Sequence, residues 1–205
     1  MRAALARWRA APDAPPAGHR PGAIAARVLA DLGAVRGVQG GGVGGGDPGE
    51  SGELTARLPN GVRVRVEERV DRQFLMHTVS VAVAVAARGP AVDGSARVRQ
   101  TGWLRRTGVA AEPAPRCDPE FVRAAAALVA KPSLADALRP LHLTDCTIAA
   151  RDGLWTLTIV PFGGSEVVNR MPSFRRYVRL TGEQAAALSA ACLAFESALR
   201  GILRG

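Results

Sequence analysis

The chain has 205 residues, with 27 Lys and Arg against 18 Asp and Glu and a formal net charge of +9. This length supports a buried core without disulfides or metals, and the 47% apolar content is typical of a globular protein. No segment is expected to span a membrane, because the most apolar run, residues 79–87, is short and alternates as a strand does. The N-terminus lacks the apolar stretch of a signal peptide, so a cytoplasmic location is expected.

The basic residues are almost all arginine, since Lys131 is the single lysine. Lysine codons are AT-rich and arginine codons GC-rich, so the composition points to a GC-rich bacterial genome. The remaining positive excess attracts anions, and an anionic ligand or a protein partner is the expected kind of partner. Aromatic residues make up only 4% of the chain, which counts against nucleic-acid binding because bases stack on aromatic rings.

Metal and cofactor motifs are missing from the sequence. The chain has three cysteines and three histidines: Cys117, Cys146, Cys192, His19, His77 and His142. The cysteines are odd in number and widely spaced without a CxxC pair, and no two histidines have ligand spacing. We therefore expect free thiols in a reducing compartment, no metal and no cofactor.

The first part of the chain predicts a tail, a helix and a linker. Residues 1–20 are expected to be disordered or frayed, and residues 21–205 to form a single α+β domain. Ile24, Val28 and Leu32 repeat every four residues and predict a helix from Pro21. Glycine-rich residues 37–52 predict a flexible linker. Its GxGxxG pattern has no strand before it and no helix after it, so dinucleotide binding is not expected.

Residues 53–69 predict a β-hairpin with one apolar and one charged face. A three-residue loop at Pro59, Asn60 and Gly61 is the choice that keeps apolar residues together. The predicted apolar pairs are Leu58–Val62, Ala56–Val64 and Leu54–Val66. The charged face then carries Arg57, Thr55 and Glu53 opposite Arg63, Arg65 and Glu67.

Two further strands, residues 74–86 and 96–106, are predicted to complete an antiparallel meander with the hairpin. Residues 121–130 predict a helix, with Asp118 as its cap and Pro119 at its first turn. Lys131 and Pro132 are expected to end it, and Ser133 to cap a second short helix through Leu138. The order of elements also suggests the hypothesis of two degenerate halves, each a helix followed by a meander.

The last part of the chain predicts a second hairpin over residues 145–161, with Asp152 and Gly153 as its loop, and a strand over residues 175–180. Thr181 and Gln184 have the spacing of a capping box at the start of a closing helix. One apolar stripe of that helix is predicted to pack on the sheet: Leu188, Cys192, Phe195, Leu199 and Leu203. The predicted fold class is α+β, with antiparallel sheet packed by helices.

Three stretches resemble a family of uncharacterised bacterial proteins. They are ERVDRQFLMH, GWLRRTG and PFGGSEVVNRMPSFRRYVRL, and the resemblance covers roughly residues 20–180. It implies no activity, ligand or catalytic residue for this chain.

The candidate site lies in residues 161–179, which predict an irregular connection rich in polar groups. Its candidate ligand-binding residues are Arg170, Arg175, Arg176, Tyr177 and Glu166. Arg175 and Arg176 point to opposite faces of a strand, so Glu166 is expected to pair with one of them. The other, with Arg170 and the Tyr177 hydroxyl, is expected to hold a carboxylate or phosphate.

The leading functional hypothesis is thus a non-catalytic domain that binds a partner or an anionic ligand, with no catalytic residue. GGSEV lacks the last glycine of a GxSxG nucleophile motif. The first alternative is an enzyme for a small anionic substrate, with Glu166 or His77 as acid or base. The second is nucleic-acid binding through the basic surface.

Overall fold

The computed structural model describes residues 16, 18–37, 54–73, 75–101 and 108–204, without the side chain of Arg170. The linker predicted at 37–52 and most of the predicted tail lie outside these ranges. Within them the strands are β1 Val35–Arg36, β2 Leu54–Arg57, β3 Arg63–Arg72, β4 Met76–Arg88, β5 Gly94–Thr101, β6 Gly108–Pro113, β7 Leu143–Arg151, β8 Leu154–Pro161, β9 Ser165–Arg170 and β10 Ser173–Val178. The helices are α1 Ala23–Asp31, α2 Pro119–Val129, α3 Pro132–Leu138 and α4 Gly182–Ile202. The fold is α+β, as predicted.

The described strands form one antiparallel sheet in the order β1-β2-β3-β4-β8-β7-β5-β6. The long strand β4 lies near the centre and pairs with β3 along one edge. Its other edge is shared, because β8 pairs with its second half and β9 with its first. Strand β10 pairs only with β9 among the described strands, and this hairpin extends the sheet at the end where β4 begins.

Strands β8 and β9 follow each other along the same edge of β4, with a break in the pairing between them. Val83 faces Ile159 and Val79 faces Glu166, so three residues of β4 lie opposite six residues of the other strand. The extra residues include Gly163 and Gly164, and Gly164 has a φ of 84° that a side chain disfavours. An added Cβ at Gly164 would lie 2.7 Å from Val28, so the interruption also lets α1 approach the sheet.

All four described helices pack on one face of the sheet. Every second residue of β3, β4, β7 and β8 points into this core, which follows from the two-residue period of a strand. Phe121 of α2 stacks on Trp155 of β8 with 5.2 Å between ring centroids, and both rings are fully buried. Gly94 lies under the Phe121 ring, where an added Cβ would be 2.3 Å from a ring carbon. The opposite face of the sheet has no described helix.

Both predicted hairpins are confirmed in register. Leu54 pairs with Val66 and Ala56 with Val64, and the Leu58 amide donates to the Val62 carbonyl across the three-residue loop. In the second hairpin the predicted two-residue loop is also confirmed. Its pairs are Cys146–Ile159, Ile148–Leu157 and Ala150–Trp155. Turn residues and alternation are local signals, which is why they fix these registers so well.

Three predictions about the elements were wrong. The fourth strand is β5, Gly94–Thr101, and it does not neighbour β4, because β8 and β7 lie between them. Residues 165–178 form the β9–β10 hairpin rather than an irregular connection. In α4 the capping box is confirmed and the stripe is buried through Leu199, but Leu203 is 54% exposed because the helix ends at Ile202.

Among the described helices, Gly182–Ile202 is long and apolar enough to cross a membrane, by length and composition only. The sequence predicts no segment of this kind, so that prediction is wrong by length and composition. The core helix of a globular protein passes the same test, and the apolar stripe of α4 is buried against the sheet.

The cysteine thiols differ in accessibility. Cys146 and Cys192 are buried, and burial raises the pKa of each to about 12, while Cys117 is partly exposed. The thiolate is the nucleophile, so buried thiols with raised pKa values react slowly. We expect a maleimide at pH 8 to label Cys117 first in the native protein and all three thiols only in denaturant, as counted by mass spectrometry. Equal native labelling of Cys192 and Cys117 would contradict the packing of α4.

Candidate functional site

Polar side chains occupy one end of the otherwise apolar core face. Glu68 of β3, His77 of β4 and Glu166 of β9 all stand at positions where the strand alternation points inward. His77 and Glu166 are buried, and the side chain of Glu68 is buried too. Buried ionisable groups need partners, because desolvation of a charge is unfavourable. The partners of Glu68 and Glu166 come from α1, from the residues before it and from β10.

Glu68 caps helix α1 from the neighbouring strand. Its Oε1 accepts hydrogen bonds from the amides of Ile24 at 2.7 Å and Ala25 at 2.9 Å. The N-cap residue, Gly22, has no side chain with which to do this. The second oxygen, Oε2, lies 3.2 Å from Nε2 of His19 without hydrogen-bond alignment. Residues that the sequence places in the tail therefore pack onto the sheet.

Glu166 pairs with Arg175, one of the two partners proposed for it from sequence. The Arg175 Nε lies 3.6 Å from Glu166 Oε2, and its Nη1 donates to the Gly18 carbonyl at 3.3 Å. Both side chains line a cavity of about 300 Å³ together with His19 and Arg27. These contacts tie β9, β10 and the segment before α1 together, so the Arg175 guanidinium has a structural role.

Tyr177 is likewise held by internal partners. Its hydroxyl donates to Asp31 Oδ2 at 3.0 Å, and Arg179 Nε donates to Asp31 Oδ1 at 2.7 Å. The Arg27 guanidinium lies 5.3 Å from the centre of the Tyr177 ring. Burial, and secondly the hydrogen bond to Asp31, raise the pKa of Tyr177, so its hydroxyl stays protonated as a donor. This network fastens the end of α1 to β10.

Of the remaining two candidate residues, only Arg176 has a described side chain, and it lies away from this cluster. Arg176 is exposed and pairs with Val167, so it lies on the opposite face of the hairpin from Arg175 and Tyr177. The backbone of Arg170 ends β9, and its side chain lies outside the described part. The anion site predicted from these five residues stays a prediction. The structure places three of them, Glu166, Arg175 and Tyr177, on one face.

A larger cleft lies on the open face of the sheet, opposite the helices. It encloses about 670 Å³, and three of its lining residues are Arg57, Arg63 and Arg65. Arg57 and Arg63 are direct cross-strand partners, and Arg65 follows on the same face of β3 opposite Thr55. Like charges directly opposite each other in a sheet are destabilising. A bound anion would relieve that repulsion.

The floor of this arginine cleft is small and neutral. Ala84 and Ala86 of β4 and Thr156 of β8 lie beside the arginines, so the surface is shallow and uncharged. The described lining residues include no acid and no aromatic ring. Glu67, opposite Ala82, is the next residue on this face of β3. The sequence places these arginines on the charged face of the hairpin but not among the candidate site residues. The predicted register, which sets Arg57 opposite Arg63, is the sequence signal that could have identified them.

No group of three or more potential metal ligands is found within the described ranges of the chain. A family model described as "Protein of unknown function (DUF3156)" matches residues 44–199, and the chain belongs to this family. The match includes every described lining residue of the arginine cleft except Gly37, whereas His19 and Arg27 of the smaller cavity precede it. No curated protein and no solved structure is detectably similar to the chain.

Proposed function

We propose that this member of the DUF3156 family is a non-catalytic cytoplasmic domain of bacterial origin that binds an anionic ligand in the arginine cleft. The observation that carries the proposal is the direct opposition of Arg57 and Arg63 across β2 and β3, with Arg65 beside them. Two cations directly opposite each other on one sheet face are unfavourable alone and favourable around an anion.

The chemistry of the cleft favours a phosphate or carboxylate attached to a compact, uncharged body. A guanidinium presents paired N–H donors that match the oxygens of either group. The Ala84 and Ala86 floor offers contact to an aliphatic or sugar-like body, while the described lining provides no ring on which a base would stack. This argues against single-stranded nucleic acid as the ligand.

The position of the acids and bases supports binding without catalysis at this cleft. The described lining of the cleft holds arginines, threonines and small apolar residues, and none of these is an ordinary general acid or base at neutral pH. His77, Glu68 and Glu166 point to the other face of the sheet, which the helices cover.

The test is a titration of the protein with inorganic phosphate and with sugar phosphates, followed by backbone NMR. We expect shifts that saturate and cluster at residues 55–65 and 84–86. Arg63→Ala should weaken binding by about tenfold or more, since a charge-assisted hydrogen bond to an anion contributes about 1.5–3 kcal/mol. Arg123→Ala, an exposed arginine of α2, is the control with the same change in net charge. Equal weakening by both variants would mean that the anion responds only to the net charge of +9, and would contradict a specific site at the arginine cleft.

A second candidate is acid–base chemistry on a small anionic substrate in the 300 Å³ cavity. It is favoured by His19, whose imidazole is held 3.2 Å from the buried Glu68 beside Arg27 and Arg175. A carboxylate beside an imidazole is a common arrangement for a general base. The same titration separates the two candidates, because this one requires shifts at residues 18–27 and at Glu166.

A further inference from the structure

Exposed apolar side chains cluster where the β9–β10 hairpin turns. Met171 is 75% exposed, Phe174 46% and Leu75 43%. Phe174 pairs with Asn169, which pairs with Met76 at the start of β4, and Leu75 directly precedes Met76. The three side chains therefore belong to one end of the sheet, which we call the hairpin tip. A cluster of exposed apolar side chains often marks an interaction surface, whereas single exposed apolar residues are normal.

The hairpin tip is also basic. Residues 71–77 and 170–176 contain four arginines and one acid: Arg72, Arg170, Arg175, Arg176 and Asp71. Arg176 is exposed and lies two residues from Phe174 on the same face of β10, whereas Arg175 on the other face pairs with Glu166. Apolar side chains framed by arginines match the interface of a bilayer that contains anionic lipid.

A cleft of about 560 Å³ opens beside the hairpin tip. Phe174 and Val168 give it apolar walls, and Arg175, Asn169 and Ser173 give it polar ones. A lipid headgroup matches this lining, because its phosphate pairs with cationic donors while its glycerol and acyl carbons pack against apolar side chains. This cleft is distinct from the arginine cleft, which lies toward the other end of β4 at Ala84 and Ala86.

We propose that the hairpin tip docks the protein on a membrane surface rich in anionic phospholipid, with Met171 and Phe174 entering the interface. The contact is peripheral and reversible, since a few apolar side chains and nearby arginines anchor a protein only weakly. It is independent of the ligand proposed for the arginine cleft.

The experiment is co-sedimentation of the full chain with vesicles of phosphatidylcholine alone and of phosphatidylcholine mixed with phosphatidylglycerol. We expect binding to the mixed vesicles only, weakened by added salt. The double variant Met171→Ser, Phe174→Ser should lower the partition coefficient by about tenfold or more. Leu154→Ser is the matched control, because Leu154 is 46% exposed at the opposite end of β4 and should bind as the parent does.

Thermal melts monitored by circular dichroism establish that each variant is folded, and Arg176→Gln provides a second, charge-directed variant that should also reduce binding. Absence of binding to mixed vesicles, equal binding to neutral vesicles, or full binding by the double serine variant would each overturn the proposal. Sedimentation without vesicles that the double variant abolishes would assign the tip to a second copy of the chain instead. Arg63→Ala should bind vesicles normally, which separates this result from the outcome at the arginine cleft.

Discussion

Phe195→Ala is expected to lower the free energy of unfolding by about 3–5 kcal/mol, the range for truncating a buried aromatic residue. Phe195 is fully buried on α4, between Cys192 and Leu199 of the same stripe, and α4 packs against β4, β8 and α3. The alanine leaves a cavity at the junction of these elements. Urea denaturation monitored by circular dichroism measures the change.

Leu193→Ala is the control for Phe195→Ala, since Leu193 is an exposed apolar residue of the same helix. It should cost less than about 1 kcal/mol, as surface substitutions usually do. A loss below about 1 kcal/mol for Phe195→Ala as well would mean that α4 leaves the sheet in solution. Its apolar stripe would then be a surface for a partner helix.

The local parts of this fold follow from the sequence, and the order of the strands does not. Pro59, Asn60 and Gly61 fix one hairpin, and Asp152 and Gly153 fix the other, because turn chemistry and alternation involve neighbours in the chain. Nothing in the pattern of β5 states that it pairs with β7, which lies over forty residues further on. That choice depends on how the helices cover the finished sheet.

Polar contacts between residues far apart in the chain could not be predicted from the sequence either. The Gln100 amide donates to the carbonyls of Leu138, Arg139 and Leu141, and so satisfies the end of α3 from a distant strand. Glu68 gave a visible signal, because it interrupts the series Val62, Val64, Val66 at inward positions of β3. The sequence could not show that its partners are amides of α1, more than forty residues earlier.

The candidate site shows the same difference between local features, which the sequence predicts, and long-range contacts, which it does not. The sequence correctly identified Glu166 as a partner for one of two adjacent arginines, because strand geometry sends Arg175 and Arg176 to opposite faces. It could not anticipate that Asp31 engages the Tyr177 hydroxyl or that Gly18 engages Arg175. Those contacts engage Tyr177 and Arg175 internally, whereas the opposition of Arg57 and Arg63 follows from the predicted hairpin register alone.

The second large effect is expected at Glu68, which joins α1 to β3. Glu68→Ala removes the acceptor for the amides of Ile24 and Ala25 and the partner of His19. Loss of a helix cap costs about 1 kcal/mol, and buried donors left unpaired cost about 1–3 kcal/mol more. We expect urea denaturation to show a loss of about 2–4 kcal/mol.

Glu68→Gln separates the cap from the charge, because its carbonyl oxygen still accepts from both amides while the negative charge beside His19 is gone. We expect it to lose about half as much stability as Glu68→Ala. Hydrogen exchange provides the local readout: the amides of Ile24 and Ala25 should exchange faster in the alanine variant and stay protected in the glutamine variant. Unchanged protection in Glu68→Ala would show that water caps α1 equally well, and the strand-to-helix contact would then contribute little to the fold.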